Sequence, residues 1–296
     1  MNLLLRAKIL SCLYFVFINF ILENYVFDRY LEDSNCFIEY GNLLYLPPQI
    51  LLGIPLLLTL FRFILMAFIF LFICIVSCSY CLIRPFHRNN VYHTSKYLGK
   101  MSKLLGFDVE VRIPESVKAV GPAIYVANHQ DNYDIFTVAN AVQPGTVTLG
   151  KKSLKWIPFF GQMYWLTGNI LIDRKNSNKA MGTMNVTVKK IIRNKLSILM
   201  FPEGTRSKGR GLLPFKTGAF RTAMQANVPI IPICVSNQIG TIKLGRWNNG
   251  KILIELLEPI VIPNDDSVSA RNIAEQTHAL MKEKISQLDK ELAEGK

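Results

Sequence analysis

The sequence predicts an α/β protein: a mixed, mostly buried sheet flanked by helices and preceded by N-terminal membrane helices. Three observations predict it. Beyond residue 106, short runs rich in Ile, Val, Leu and Phe, punctuated by Gly, Pro and Asn, alternate with segments of helical period, the pattern of strands covered by helices. Phe63 to Ile83 is 21 residues without a charge, bracketed by Arg62 and Arg84, and as a helix it is about 31 Å long, enough to cross a bilayer. The charge is partitioned: residues 1–83 carry four basic and five acidic groups, whereas residues 84–296 carry 30 basic against 16 acidic. A neutral, apolar front therefore precedes a strongly basic body.

In chain order, Ile9 to Leu22 follows Arg6 and Lys8 like the apolar core of a secretory signal. No small-residue cleavage site follows, and the bulky, acidic stretch Glu23 to Asp33 favours an uncleaved anchor or interfacial helix. Leu43 to Phe61 is also uncharged, but Pro47, Pro48, Gly53 and Pro55 interrupt it, so it is expected to dip into a membrane rather than cross it. Phe63 to Ile83 has apolar residues on every face, which favours a membrane over a soluble core, either as a span or as part of a monotopic hairpin. The body then reads as a helix over 87–105 and strands at 107–113 and 123–127. A helix over 133–142 and strands at 146–149, 169–172 and 197–201 follow. Helices near 179–193 and 217–225, strands at 230–235 and 252–257, and a final helix over 268–292 complete it. Asp265, Asp266 and Ser267 open that last helix and suit its dipole. Pro229 and Pro232 imply an edge or a strand start. Three units result: residues 1–56, a membrane-embedded segment over 57–85, and an α/β domain over 86–296.

Several classes are excluded or disfavoured. The net charge of +13 suits nucleic acid or an anionic membrane, but only the membrane also accounts for the apolar front, where each nearby Lys or Arg contributes about 1 kcal/mol. The six cysteines form no disulfide framework: Cys74, Cys78 and Cys81 lie inside the apolar run and act as small hydrophobes, without a His or carboxylate among them, and a reducing cytoplasmic face is the default for the body. GxSxG, HExxH and GxGxxG are absent. The run Gly209 to Thr217 ends like a P-loop, but Phe215 stands where glycine must precede the lysine.

Two constellations carry chemistry. The apolar run Ala123 to Ala127 stops abruptly in Asn-His-Gln-Asp-Asn-Tyr-Asp, placing His129 at a strand end. A tight turn there can set Asp134 behind the imidazole to hold its tautomer and stabilise the imidazolium, with Asp131 as a competing partner. The second, Phe201-Pro-Glu-Gly-Thr-Arg-Ser207, also follows an apolar strand. Gly204 permits close backbone approach, Arg206 can grip a phosphate in fork geometry, and Thr205 or Ser207 adds hydroxyl donors, while Lys208, Arg210 and Lys216 supply further charge.

These segments, with Lys155-Trp-Ile-Pro-Phe-Phe-Gly161 between them and Val228-Pro-Ile-Ile-Pro-Ile233 after them, resemble in order and spacing the four signature blocks of the glycerolipid acyltransferase family. The wider text from about Leu57 to Leu292, including Gly150-Lys-Lys-Ser-Leu154 and Leu171-Ile-Asp-Arg174, is similar to bacterial members acting on 1-acyl-sn-glycerol 3-phosphate.

The resemblance implies the glycerolipid acyltransferase fold and transfer of an acyl group from acyl-ACP or acyl-CoA to the sn-2 hydroxyl of a lysophosphatidic acid, giving phosphatidic acid for phospholipid biosynthesis. His129, oriented by Asp134, is the implied general base in a direct attack, without an acyl-enzyme, metal or other cofactor. Glu203, Gly204, Thr205 and Arg206 would bind the acceptor's phosphate, with Lys151, Lys152 and Arg174 as lesser candidates. Trp156, Ile157, Pro158, Phe159 and Phe160 would contact acyl chain or membrane, and backbone amides near Gly161 are candidates for the oxyanion. The expected partners are lysophosphatidic acid, acyl carrier protein or a coenzyme A thioester, and an anionic phospholipid membrane, with no nucleic acid. The expected location is the bacterial inner membrane with the domain on its cytoplasmic face. Another lysophospholipid or glycerol phosphate acceptor, or a membrane-bound thioesterase or lipid hydrolase, is the alternative. Residues 1–56 precede the resemblance and are expected to be either an extra anchor or a segment ahead of a start near Leu57 or Leu58.

Overall fold

A computed structural model describes residues 48–173, 177–263 and 268–295. The expectations for Ile9 to Leu22, Glu23 to Asp33, Arg174 and the residues Asp265 to Ser267 lie outside the described residues.

The chain enters through α1 (Pro48–Ile83), a 36-residue helix with Pro55 inside it. The expected break before Phe61 is absent. Pro48 stands at the first helical position, where its missing N–H has no partner to lose, and Thr59 Oγ1 donates to the carbonyl of Pro55 at 2.8 Å. Residues Pro55 to Ile83 are long and apolar enough to cross a membrane. Along this stretch Arg62, Met66, Ile73, Cys74, Ser77 and Cys81 are buried, while Leu60, Ile64, Phe68, Phe72, Leu82 and others are exposed. The helix is thus apolar all round for two separate reasons: one stripe packs on the body, and the remainder faces outward.

α2 (Asn90–Lys100) runs back along α1, with Thr94 bonded to Ser77 at 3.2 Å, and tightens into a 3₁₀ turn over Met101–Leu105. β1 (Phe107–Arg112), the short α3 (Glu115–Ala119) and β2 (Ile124–Ala127) follow. The single expected helix over 133–142 is α4 (Asp134–Thr137) continued as 3₁₀ over Val138–Ala141. β3 (Thr146–Lys151) leads through a 3₁₀ turn (Lys152–Trp156) into α5 (Phe160–Leu166), a helix not expected from the sequence, and then to β4 (Ile170–Ile172). α6 (Ser177–Asn194), β5 (Ser197–Met200), α7 (Gly218–Ala226), β6 (Ile230–Val235), β7 (Gly250–Leu256) and α8 (Ala270–Glu294) complete the chain. The cap of α8 is Ser269, whose hydroxyl accepts from the Asn272 amide at 3.1 Å.

The seven strands form one sheet in the order β1-β7-β6-β2-β5-β3-β4, mixed as expected, with β6 against β7 as its antiparallel pair. α6, α7 and α8 pack on one face; α2 and α4 cover the other, and α1 packs on α2 and α5. Every residue of β2, β5 and β6 is buried, as continuous apolar runs in a two-sided parallel core require. The prolines correct one expectation: Pro232 lies inside a central strand, not at an edge. The amide of Ile230 faces Ile260, so by alternation the missing N–H of Pro232 points into the gap between that bridge and the β7 ladder, which begins at Ile233.

Tyr125 pairs with Leu199, and Leu199 with Thr148, so β2, β5 and β3 run in parallel and end at one edge of the sheet. The β6–β7 connection reaches from that edge to α1. There the guanidinium of Arg62, 5% exposed, donates to the carbonyls of Leu244 at 2.9 Å, Trp247 at 2.8 Å and Arg246, and lies over the Trp247 ring. Replacing Arg62 with Ala should cost about 2 kcal/mol of stability, read as a lower melting temperature, with Arg62→Lys in between; a melting temperature equal to wild type would show that the connection holds itself.

Candidate active site

The strand ends build the site. His129 follows β2 after Asn128, and its Nδ1 donates to Asp134 Oδ2 at 2.5 Å. The carboxylate partner assigns the proton to Nδ1 and leaves Nε2 as the atom able to accept one. Asp134, at the first residue of α4, is buried, and its Oδ2 also accepts from the amides of Gln130 at 2.8 Å and Asp131 at 3.3 Å. Of the two candidate partners, the structure brings Asp134 to the imidazole. Asp131 turns the other way, accepting from the Tyr133 amide at 2.8 Å and from Gln238 Nε2 at 2.9 Å. The imidazole stacks on Phe201, with ring centroids 4.2 Å apart, which joins the first constellation to the second.

The loop after β5 is tied to the same place. Glu203 is 3% exposed; its Oε1 accepts from the His129 amide at 2.6 Å and its Oε2 from the Leu213 amide at 3.0 Å. The amides of Ser207 and Lys208 donate to the carbonyls of His129 and Gln130 at 2.8 and 3.0 Å. Glu203 therefore faces inward and holds the two loops together, while Thr205 and Arg206 are exposed beyond it. Gly204 has φ +72°, which favours glycine, and the end of the Lys216 side chain lies against it, 2.8 Å from where a Cβ would stand. Arg210 folds back on the loop, with Nε donating to the Ser207 carbonyl at 2.8 Å.

Lys151 ends β3 at the same sheet edge and is exposed. Lys152 lines a cavity of about 450 Å³ together with Lys155, Gln162, Trp165 and Asp173. The segment Trp156 to Phe160 divides: Trp156 and Phe159 are exposed, Ile157 and Pro158 half-buried, and Phe160 stacks on Phe70 of α1 at 5.7 Å. The amides near Gly161 are engaged locally, with Gly161 donating to Ile157 and Phe160 to Pro158, both at 2.7 Å, so they are not free to receive an oxyanion in this conformation.

Three residues escaped the sequence reading. Asn128 exchanges two bonds of 2.9 Å with the Val235 backbone; Gln130 Nε2 donates to the Ser236 carbonyl at 2.8 Å; Gln238 Nε2 donates to Asp134 Oδ1 at 2.5 Å. Their signal was present: Ser236-Asn-Gln238 is polar sequence directly after a wholly apolar strand, as at His129 and Glu203.

Residues 108–236, which contain His129, Asp134 and the Glu203 loop, match the family model described as Acyltransferase. The chain is 50% identical over 235 residues to the 1-acyl-sn-glycerol-3-phosphate acyltransferase of Salmonella typhimurium, covering 79% of this chain and 96% of that one. The chain belongs to the 1-acyl-sn-glycerol-3-phosphate acyltransferase family. The Escherichia coli relative is 49% identical over the same shares, and the Saccharomyces cerevisiae relative 36% identical over 64% of this chain and 63% of that one. The crystal structure of the 1-acyl-sn-glycerophosphate acyltransferase of Thermotoga maritima superimposes with a TM-score of 0.63 at 24% identity, over 79% of this chain and 95% of that one; it shares the fold.

The Glu203 carboxyl of this acyltransferase is pushed up to about 6, first by burial, against the lowering effect of its two amide bonds and with a further rise from Asp134. Because the folded value lies above the ordinary 4.5, the folded state holds this proton more tightly than the unfolded chain. The associated stability is present below pH 4.5 and lost as pH rises through about 6. Glu203→Gln should abolish that segment of the melting-temperature profile; identical pH slopes in the two proteins would contradict it.

Proposed function

We propose that this acyltransferase moves an acyl group from acyl-ACP or acyl-CoA to the sn-2 hydroxyl of 1-acyl-sn-glycerol 3-phosphate, yielding phosphatidic acid. The observation that carries the reading is the His129 Nδ1 to Asp134 bond of 2.5 Å, which leaves Nε2 to accept a proton on a loop that Glu203 and the Ser207 amide tie to the Thr205–Arg206 segment. The names of the relatives support the same acceptor.

In this mechanism Nε2 accepts the proton of the sn-2 hydroxyl as the oxygen attacks the thioester carbonyl, and Asp134 stabilises the imidazolium so formed. The tetrahedral intermediate collapses by breaking the carbon–sulfur bond, and the imidazolium returns the proton to the departing thiolate. The cycle ends with an ester, a thiol and a neutral imidazole. Arg206 and Thr205 hold the acceptor's phosphate, Lys151 and Lys152 add positive charge along the same sheet edge, and Gly204 lets the loop backbone come close. Glu203 acts through the loops it binds, not by contact with the phosphate.

The outward face of α1 supplies membrane attachment. Phe86 meets Trp165 edge-on at 5.0 Å, which continues that apolar face onto α5, and Lys96, Lys100 and Arg84 are exposed along α2 and at the end of α1. An apolar ridge with a basic flank suits an anionic bilayer, and the bacterial inner membrane, approached from the cytoplasm, provides both lipid and acyl thioester.

His129→Ala should lower kcat by about 10²–10⁴-fold in a lysophosphatidic acid and acyl-thioester assay; wild-type turnover would reject the base. Arg206→Ala should mainly raise the KM for lysophosphatidic acid; an unchanged acceptor KM would reject the phosphate contact. Phe68→Asp with Phe72→Asp should reduce cosedimentation with phosphatidylglycerol vesicles; undiminished binding would place membrane attachment elsewhere.

A further inference from the structure

Gln238 lies in the β6–β7 connection, 104 residues from Asp134 in sequence, yet it is wholly buried beside the dyad. Both hydrogens of its carboxamide are committed: Nε2 donates to Asp134 Oδ1 at 2.5 Å and to Asp131 Oδ1 at 2.9 Å. The orientation of the amide follows from its neighbours, since the reverse would set Oε1 against two carboxylates. Oε1 accordingly has no hydrogen-bond partner among the described residues, a cost that marks the donation to the two aspartates as the dominant demand. The backbone fixes the side chain in turn. The Gln238 amide donates to Gln130 Oε1 at 3.0 Å, Gln130 Nε2 returns a bond to the Ser236 carbonyl, and Thr241 Oγ1 donates to the Gln238 carbonyl at 2.7 Å.

We propose that Gln238 is a positioning residue for the His129–Asp134 pair: it occupies the Asp134 oxygen opposite the imidazole and keeps Asp131 away from His129. Asp134 Oδ2 carries three donors, from His129, Gln130 and Asp131. Without a donor at Oδ1 the carboxylate is held through Oδ2 alone and its charge is less dispersed. Asp131, released from Nε2, becomes a second carboxylate available to the imidazole. The charged groups around the dyad are Asp131 and Asp134 on the β2–α4 turn, Glu203 behind the His129 amide, and Arg210, which acts on Glu203 from the β5 loop; the stacked face of the imidazole meets the neutral Phe201. Loss of Gln238 therefore tips the balance toward imidazolium, the form that cannot accept a proton.

The inference rests on His129 being the general base, and the experiment separates the two. Gln238→Met keeps length and removes the donors; Gln238→Glu keeps shape and adds a carboxyl group. In a steady-state assay with lysophosphatidic acid and acyl thioester, Gln238→Met should lower kcat by about 10-fold with both KM values unchanged. The acid limb of its kcat–pH profile should move to higher pH, and that of Gln238→Glu further in the same direction. Either variant showing the shift with an unchanged melting temperature supports positioning. Wild-type kcat and an unmoved limb in both variants would overturn it, as would lost activity with an unmoved limb and a lowered melting temperature. If His129→Ala keeps wild-type turnover, the base assignment fails; if it does not and the Gln238 variants are silent, this inference alone fails.

Discussion

A carboxylate withdrawn from water must have its charge answered by donors, and the burial of Asp134, 4% exposed, is the constraint that shapes everything around the strand ends. Its donors come from the preceding turn of chain and from the connection that leaves the neighbouring strand β6: one imidazole, two amides and a carboxamide. Glu203 repeats the arrangement on the neighbouring loop, with the His129 amide as one of its donors. The two acids together leave the backbone between them little freedom. The base proposed at His129 gains from that rigidity, because a proton acceptor that wanders loses the near-attack geometry on which its rate depends.

The strands were legible because their burial is written in runs of branched and aromatic residues; Ile124 to Ala127 and Ile230 to Val235 read as core and are core. Their order across the sheet was not, since apolar runs of similar length and composition carry no label for their neighbours. α5 was missed because Pro158 and the Gly161 pair of aromatics read as a loop, whereas Phe159 at φ 63° turns the chain sharply into a helix that packs on α1. The His129 and Asp134 pairing was visible as spacing, but the choice between Asp134 and Asp131 needed Gln238, whose position depends on a loop closed through long-range contacts. Glu203 was read with its loop as a ligand contact because sequence gives order and not direction, and the side chain points the other way.

The apolar helix shows how composition can mislead about environment. Phe63 to Ile83 reads as uniformly lipid-facing, yet a continuous stripe of it is protein interior, with Arg62 at one end of that stripe reaching into the fold. An arginine at the boundary of an apolar run looks like a flank that meets headgroups; here its guanidinium satisfies the backbone of a loop instead.

That contact bears on how the protein divides. The carbonyls of Leu244, Arg246 and Trp247 depend on a side chain from α1, and Asn249, a few residues on, donates to the carbonyl of Leu105. Trimming the chain at Arg84 would thus remove an internal wall of the fold along with the exposed apolar surface. It would also slacken the connection that begins at Ser236. Through these contacts α1 shares one packed interior with the sheet, and what sets the helix apart is the chemistry of its outer surface.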